Sequence, residues 1–403
     1  MRKFYDGLRR FCAFIVGAVF FVSGLLKLMD PVGAGLVVDE YLKFMHAGFL
    51  SFASEFTAVA LAFAETFTGL ALLTGVWRRL FAAVSLAFLA FFTVLTAVLA
   101  ALNPQMDCGC FGEAVHLTHF QSLAKNIILC ILAAIAFFPF GKLGLPKKRK
   151  YVSFSLVAVS VIAFAVYPML YIPAADFTDF KAGARLESSA DGPSRTYSAS
   201  FIYEKDGVLE RFGLENLPDS SWTFVRTETE TAATHGETII QLPVSDASGE
   251  HFDELAASGN VIAVSVLRPY SLSAKKWHSV ASLVTQAHET GFVPLVLVPE
   301  NPDEAAEWLY GHIAAEDAAA IAGAMYFSDY KTLVTMNRSN GGATCFRDGC
   351  LIRKWAFRNL PDLSEIRMAN SANAAELAAS YSSRGHLMLQ AYLLYVFSVI
   401  LFL

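Results

Sequence analysis

Charged residues are scarce in this chain of 403 residues, because Asp, Glu, Lys and Arg make up only 17% of it, where soluble domains average about 25%. Apolar residues make up 55%, against roughly 45–50% in soluble domains. A chain this apolar is not intrinsically disordered. Its net charge of −5 offers no basic surface for nucleic acid. The composition also argues against one large soluble domain.

Six apolar segments reach, or nearly reach, the length of about 20 residues that a helix needs to cross a bilayer. They are Phe11–Met29, Phe56–Trp77, Leu80–Leu102, Phe120–Phe140, Tyr151–Ile172 and Leu387–Leu403. The first could instead be a signal peptide, but no small-residue cleavage site directly follows it and five more segments do. The sequence therefore predicts six transmembrane helices and a lipid bilayer as the surroundings.

Lysine and arginine are unevenly divided between the two sides of these segments. The N-terminus and the loops on its side carry eleven, whereas the short loops on the other side carry only Lys43. Because cytoplasmic loops are enriched in these residues, we expect both termini in the cytoplasm. Loops 30–54 and 103–119 and residues 174–384 then face outward, which predicts a bacterial inner-membrane protein with a periplasmic domain.

Residues 174–384 read as ordinary soluble protein and carry a net charge of −11, against +6 for the rest of the chain. Alternating apolar residues around a turn at 205–207 predict a β-hairpin. Apolar runs at 262–267 and 292–298, separated by a helical pattern, predict buried strands of an α/β domain. The predicted units are a four-helix bundle (1–140), a basic loop and fifth helix (141–173), a linker and small β region (174–237), the α/β domain (238–384) and a last helix (385–403).

Four of the six cysteines fall on the predicted outer side, where disulfides are permitted. Cys12 and Cys130 lie inside predicted spans, where a free thiol packs like a small apolar side chain. Cys108 and Cys110 are separated by one glycine, so a disulfide between them closes a small, strained and reducible ring. They could also pair elsewhere or stay reduced. A metal site is a further, weaker alternative, because His116 and His119 follow.

Cys345 and Cys350 flank a four-residue turn of a predicted hairpin. Directly opposed hairpin positions lie about 4.5–5.5 Å apart at Cα, which is within disulfide range. The pair could be a static disulfide, or it could exchange with the pair Cys108–Cys110.

Glu65 lies near the middle of the second span. A carboxylate at that depth costs about 2.5–3.5 kcal/mol, so such residues usually pair or serve a function. Lys27 and Lys125, near the outer ends of spans one and four, could reach toward it or extend outward. A structural ion pair and a proton- or ligand-handling role both remain open.

Residues 1–140 resemble the DoxX/MauE family of four-helix membrane proteins. The matching residues are Phe21–Lys27 with Asp30-Pro31, Glu65 with Gly69–Leu73 and Gly75, the hexapeptide Asp107–Gly112 (DCGCFG), and Lys125-Asn126. The resemblance implies a redox setting, since DoxX proteins are associated with a thiosulfate:quinone oxidoreductase and MauE proteins with maturation of a disulfide-rich periplasmic amine dehydrogenase, as in methylamine utilisation.

Residues 238–369 resemble a thioredoxin-like domain, mainly in the hairpin that contains Cys345. The resemblance is incomplete, because Arg268–Ser273 stands where that fold carries its Cys-x-x-Cys, and Gly341 stands in place of its cis-proline. The domain is therefore expected to bind a partner rather than to carry dithiol chemistry at the usual place.

Together these patterns predict a six-helix membrane protein with an extracytoplasmic thioredoxin-like α/β domain. The leading hypothesis is a thiol–disulfide or electron-transfer component, whether catalytic or not, with Cys108 and Cys110 as the redox pair and Glu65 on the proton or quinone side. Asp107 is a supporting candidate; the cofactor would be a quinone, and the partner an extracytoplasmic redox client. The alternative is a non-catalytic scaffold subunit whose outer domain binds a partner protein.

Overall fold

The computed structural model describes residues 2–104, 106, 108–140, 148–186, 198–205, 208–213, 218, 221–230, 239–371 and 374–402. Its α-helices are α1 (Arg2–Met29), α2 (Pro31–Phe44), α3 (Ser54–Thr74), α4 (Arg78–Leu102), α5 (His119–Phe137), α6 (Lys148–Leu170), α7 (Asp253–Ala257), α8 (Ala274–Glu289), α9 (Pro302–His312), α10 (Ala315–Ala322), α11 (Tyr330–Met336), α12 (Leu363–Ser371) and α13 (Ala374–Phe402). Among the described residues, six helices are long and apolar enough to span a membrane: α1, α3, α4, α5, α6 and α13. The six predicted spans are thus confirmed as helices.

Helices α1, α3, α4 and α5 form a bundle, and α6 and α13 pack beside α1 and α3. The backbones of α1 and α3 approach closely at Gly69, where an added Cβ would meet the backbone nitrogen of Phe21. Small residues permit such contact between membrane helices. The sixth span was expected to start at Leu387, but its helix begins at Ala374, because the helix continues beyond the apolar stretch that the sequence pattern detects.

The sequence pattern predicts a loop over residues 30–54, and the structure corrects this prediction with helix α2. Asp30 caps its start by accepting a hydrogen bond of 2.9 Å from the Gly33 N–H, and Pro31 occupies the first helical position. Both residue types are favoured there. A 3₁₀ turn, Gly48–Ala53, then leads into α3.

The strands are β1 (Cys110–Glu113), β2 (Arg185–Leu186), β3 (Ser198–Lys205), β4 (Val208–Gly213), β5 (Thr223–Glu230), β6 (Ile239–Ile240), β7 (Asn260–Ser265), β8 (Val293–Val298), β9 (Met325–Phe327), β10 (Gly342–Arg347) and β11 (Cys350–Trp355). Strands β3 to β5 form an antiparallel sheet in the order β4-β3-β5, which includes the predicted hairpin β3–β4.

The remaining strands, apart from β1, form a mixed sheet in the order β6-β2-β11-β10-β7-β8-β9. Strands β7, β8 and β9 run parallel, and β10 is antiparallel to both β7 and β11. The predicted linker is corrected at one point, because Arg185 pairs with Cys350 and Ile239 and so joins this sheet.

Both faces of the mixed sheet are covered. On one face, α8 buries Trp277, Val280 and Val284, which recur at helical spacing. The opposite face holds a second cluster that includes Leu297 and Phe346, and the side chains of Val32 and Leu36 from α2 pack against that cluster. Helix α2 therefore joins the membrane bundle to this α/β domain.

Candidate functional site

Cys108 and Cys110 face each other in the loop between α4 and α5. Their sulfur atoms lie 3.3 Å apart, and both residues are free thiols. A movement of little more than 1 Å would bring the sulfurs to the ~2.05 Å of a disulfide bond. Gly109 between them has a φ of +60°, and a Cβ there would meet Cγ1 of Val37. The tight turn and the contact with α2 both require glycine at this position.

Two hydroxyl groups hold this loop against the helices. The hydroxyl of Tyr41 in α2 donates to the carbonyl oxygen of Cys108 at 2.6 Å. The hydroxyl of Ser23 in α1 lies 2.7 Å from the carbonyl oxygen of Cys110 and 2.8 Å from Oε2 of Glu65. A serine hydroxyl carries one proton, so Ser23 donates to one of these two acceptors at a time. Its position between them links the cysteine loop to the buried carboxylate.

Glu65 and Lys27 form a buried ion pair beneath the loop. The Lys27 ammonium donates to both carboxylate oxygens, at 2.7 and 2.9 Å, and the Glu65 residue is only 2% exposed. With Ser23 beside it, the carboxylate has three hydrogen-bond contacts from two side chains, which offsets the cost of removing it from water. Lys27 also lies 5.6 Å from the centre of the Phe92 ring. Of the two lysines considered, Lys27 reaches the carboxylate.

Lys125 instead lies beside the cysteine loop, with its ammonium 4.8 Å from the centre of the Phe111 ring. A hydrogen bond with the Cys108 thiol, assisted by the positive charges of Lys125 and Lys27, lowers the pKa of Cys110 to about 5 against the opposing effect of burial. The pKa of Cys108 is raised, because it hydrogen-bonds to Cys110 and is itself buried. Cys110 is therefore the thiolate at neutral pH, and Cys108 keeps its proton.

An apolar cavity of about 270 Å³ lies directly beneath the two cysteines. The polar groups of its lining that lie beside the cysteines come from Ser23, Lys27, Tyr41, Glu65 and Lys125, and Thr57, Thr96 and Asn126 add further polar groups. Met45 and Phe91 also line the cavity and are more than half exposed. The cavity consequently has an outlet on the lateral surface of the bundle, where lipid chains would lie.

Helix α2 has a role on both of its sides. Val37, Val38 and Tyr41 line the cavity. On the other side, Asp30 accepts from the Arg338 guanidinium of the α/β domain at 2.7 and 3.1 Å, and both side chains are largely buried. The dithiol site is thus built from the bundle together with a helix that the α/β domain holds in place.

The structure does not bring Cys108, Cys110, His116 and His119, the alternative metal ligands, together in one site. Nε2 of His119 lies 3.0 Å from the carbonyl oxygen of Pro104, and His116 is exposed. Within the described ranges, no three His, Cys, Asp or Glu side chains are grouped so that they could hold a metal ion. Asp107, the supporting candidate, lies outside the described residues.

Cys345 and Cys350 do lie on the expected hairpin, but the expectation that they are directly opposed is wrong. Cys345 pairs with Arg353 and Cys350 with Arg347, because the hairpin turn contains only Asp348 and Gly349 and Cys345 lies two residues further from the turn than Arg347 does. No disulfide joins the two, and burial raises the pKa of Cys345 to about 12. A buried thiol of that kind is unreactive. This geometry does not support disulfide exchange with Cys108 and Cys110. A disulfide between Cys345 and Cys350 stays a prediction.

The sequence patterns assign no individual role to three residues that make contacts at this site: Ser23, Tyr41 and Asn126. Asn126 donates to the Phe92 carbonyl oxygen and to Oγ1 of Thr96, both at 3.2 Å, and so fixes α5 against α4. Ser23 stands four residues before Lys27, which places both on one face of α1. That spacing could have identified Ser23, whereas Tyr41 depends on the unforeseen helix α2.

Comparison with known proteins agrees with the expected resemblance for the bundle. Residues 6–139 match the family model described as methylamine utilisation protein MauE. This third of the chain is therefore similar to MauE proteins, and the six apolar helices agree with a multi-pass membrane protein. Residues 197–232 match a domain of unknown function, DUF8463. Searches of curated proteins and of solved structures found no match, and the thioredoxin-like assignment stays a prediction.

Proposed function

We propose that this protein is a membrane thiol–disulfide component in which Cys108 and Cys110 are the redox pair. The observation that carries the proposal is the contact of 3.3 Å between the two sulfurs at the polar end of an apolar cavity. The match to a methylamine utilisation family supports an accessory role of this redox kind. The supporting electrostatics are the low pKa of Cys110 and the adjacent lysines.

When the pair is oxidised, the Cys110 thiolate and the Cys108 sulfur form an S–S bond. Cys108 gives up its proton, and two electrons leave the pair for an acceptor. The resulting disulfide then takes two electrons from the dithiol of a client protein; of the two protons released there, one returns to Cys108 and the other goes to solvent, because Cys110 returns to the thiolate form. The small ring makes the disulfide a ready oxidant for such a client.

We further propose a quinone as the acceptor, because the residues of the cavity fit one. The cavity is apolar, has an outlet on the lateral surface of the bundle, and presents hydrogen-bonding groups from Ser23 and Lys27 at the cysteine end. A bound quinone would supply two-electron, two-proton redox chemistry. In this arrangement Lys27 and Glu65 hold a proton next to the cysteines, and the apolar walls exclude water.

The orientation completes the proposal. The distribution of lysine and arginine favours a bacterial inner-membrane protein with both termini in the cytoplasm and the cysteine loop and α/β domain in the periplasm. The α/β domain presents exposed aromatic surface at Tyr270, whose ring lies 5.3 Å from that of Trp308. We propose that this domain binds the client protein.

The test is thiol trapping of the purified, reduced chain in detergent after addition of decylubiquinone. We expect Cys108 and Cys110 to become protected from a maleimide reagent and one quinol to form per chain. The variant Cys110→Ser should abolish both effects, whereas the matched variant Cys345→Ser should leave both unchanged.

Two results would count against parts of this proposal. If cysteine protection occurs with a soluble oxidant but never with the quinone, the quinone proposal is wrong and the dithiol proposal stands. If the double variant Cys108→Ser and Cys110→Ser supports normal maturation of the client in cells, the proposed redox function is wrong. That result would favour the hypothesis of a non-catalytic scaffold subunit.

A further inference from the structure

A second cavity, of about 320 Å³, lies at the junction of the α/β domain with the last two spans and shares no lining residue with the cavity beneath the cysteines. Its walls come from the C-terminal end of α6, the turn after it, strand β11 and the first turns of α13. The junction is tight, because an added Cβ at Gly385 of α13 would meet the carbonyl oxygen of Ala174 in that turn.

This cavity has an excess of positive charge. Lys181, Arg353, Lys354 and Arg384 line it, and Asp176 is the single carboxylate in its lining. Lys354 forms an ion pair with Asp176, in which the ammonium nitrogen lies 2.6 Å from Oδ2. The remaining three cations therefore face the cavity without a carboxylate of the lining to neutralise them.

Arg353 is also held by protein groups. Its guanidinium lies 4.4 Å from the centre of the Tyr381 ring and 3.6 Å from a carboxylate oxygen of Glu365. Lys181 and Arg384 differ from it, since both are exposed and neither forms an ion pair with any residue that the structure describes. They are the two cations of the cavity available to a ligand.

The position of the cavity along the helices matches the membrane surface. Arg384 and His386 in its wall immediately precede the apolar stretch of α13 that starts at Leu387. Tyr167 in α6 and Tyr171, which directly follows that helix, line the same cavity, and tyrosine is enriched where membrane helices reach the headgroup layer. The local positive charge contrasts with residues 174–384, which carry −11 overall and as a whole are repelled by anionic surfaces.

We propose that this cavity binds a phosphate group at the membrane surface, with Lys181 and Arg384 as its cationic ligands. Arginine suits phosphate because its planar donors pair with two oxygens, and tyrosine hydroxyls can add hydrogen bonds. The phosphate could belong to an anionic lipid headgroup or be free in solution. A lipid bound here would fasten the α/β domain to the bilayer beside α6 and α13.

The test is a binding titration of the full chain, delipidated in a neutral detergent, followed by native mass spectrometry. The probes are dioleoyl phosphatidylglycerol, the phosphate-free dioleoylglycerol and inorganic phosphate. We expect phosphatidylglycerol or inorganic phosphate to bind at least about tenfold more tightly than dioleoylglycerol, which corresponds to about 1.4 kcal/mol. Binding of phosphatidylglycerol alone identifies a lipid site, and displacement of that lipid by millimolar inorganic phosphate identifies a site for free phosphate.

Matched variants decide whether the cavity is responsible. The pair Lys181→Gln and Arg384→Gln should lose the tenfold preference, and the charge-retaining pair Lys181→Arg and Arg384→Lys should keep most of it. The control pair Arg268→Gln and Lys275→Gln removes two exposed cations elsewhere in the α/β domain and should change nothing. Equal binding of all three probes, or an equal loss in the control pair, would overturn the proposal.

Discussion

The unequal protonation of the two loop cysteines gives the sharpest prediction, which concerns how fast Cys110 reacts at different pH values. Its pKa is lowered to about 5, chiefly by the hydrogen bond with Cys108, whereas an ordinary cysteine has a pKa of about 8.5. Only the thiolate reacts with iodoacetamide. The pH profile of alkylation therefore reports the protonation state of Cys110 directly.

The magnitude follows from the thiolate fraction. For a pKa of about 5, the fraction is about 90% at pH 6 and nearly complete at pH 8, so the alkylation rate should be almost equal at the two values. For an ordinary thiol the fraction rises about 75-fold over the same interval. A thiolate of low pKa is also intrinsically less nucleophilic, by a Brønsted slope of about 0.4–0.5. The ratio of rates, rather than either rate alone, is therefore diagnostic.

The assay is alkylation of the reduced full chain in detergent, quenched over time, with Cys110 quantified by peptide mass spectrometry. Cys108→Ala removes the hydrogen-bond donor and should make the rate strongly pH-dependent. The matched variant Cys108→Ser keeps a donor and should retain most of the flat profile. Lys125→Gln should raise the pKa by a smaller amount, because Lys125 contributes less than Cys108. A wild-type rate at pH 6 that is tenfold or more below the rate at pH 8 would refute the reasoning.

Three further substitutions test how the loop and α2 are held. Gly109→Ala forces a side chain into a left-handed backbone against Val37; the conformation alone costs roughly 1–2 kcal/mol, so thermal unfolding should occur at lower temperature, and an unchanged melting temperature would contradict the description of the turn. Asp30→Asn keeps the helix cap but removes the carboxylate charge that faces the Arg338 guanidinium, which should lower the melting temperature and speed amide exchange of α2; exchange at the wild-type rate would show the ion pair to be unimportant. Tyr41→Phe removes one hydrogen bond to the cysteine loop, worth about 1 kcal/mol, and should slow disulfide formation between the loop cysteines, measured by thiol trapping, without unfolding the bundle.

Much of the architecture could be predicted because long apolar runs have few structural solutions. A run of about 20 apolar residues must be helical in a membrane, since the backbone has no other way to satisfy its hydrogen bonds there. The strands at 260–265 and 293–298 were recognisable for a related reason, because continuous apolar runs suit strands buried on both faces. Helix α2 is harder to recognise from the sequence, because it is apolar on two sides that face different partners and therefore lacks the single apolar stripe of an amphipathic helix.

The cysteines show the limit of reasoning from spacing. The pair Cys108 and Cys110 was recognisable because one intervening glycine forces the two sulfurs to be neighbours. The pair Cys345 and Cys350 has an equally suggestive spacing, but the hairpin turn contains two residues rather than four, so Cys350 is opposite Arg347 and not Cys345. The spacing of the cysteines alone does not determine how many residues the turn contains.

The amino-acid sequence by itself determined that the chain has six apolar segments of membrane-spanning length, an acidic domain, two cysteines separated by one glycine and a carboxylate inside an apolar segment, because hydrophobicity, charge and adjacency along the chain are properties of the residues alone. Only the tertiary structure decided that Lys27 rather than Lys125 pairs with Glu65, and that Lys125 lies beside Cys110. It also decided that α2 links the cysteine loop to the α/β domain. Those contacts join residues distant in sequence, and which distant residues meet is set by how the helices pack.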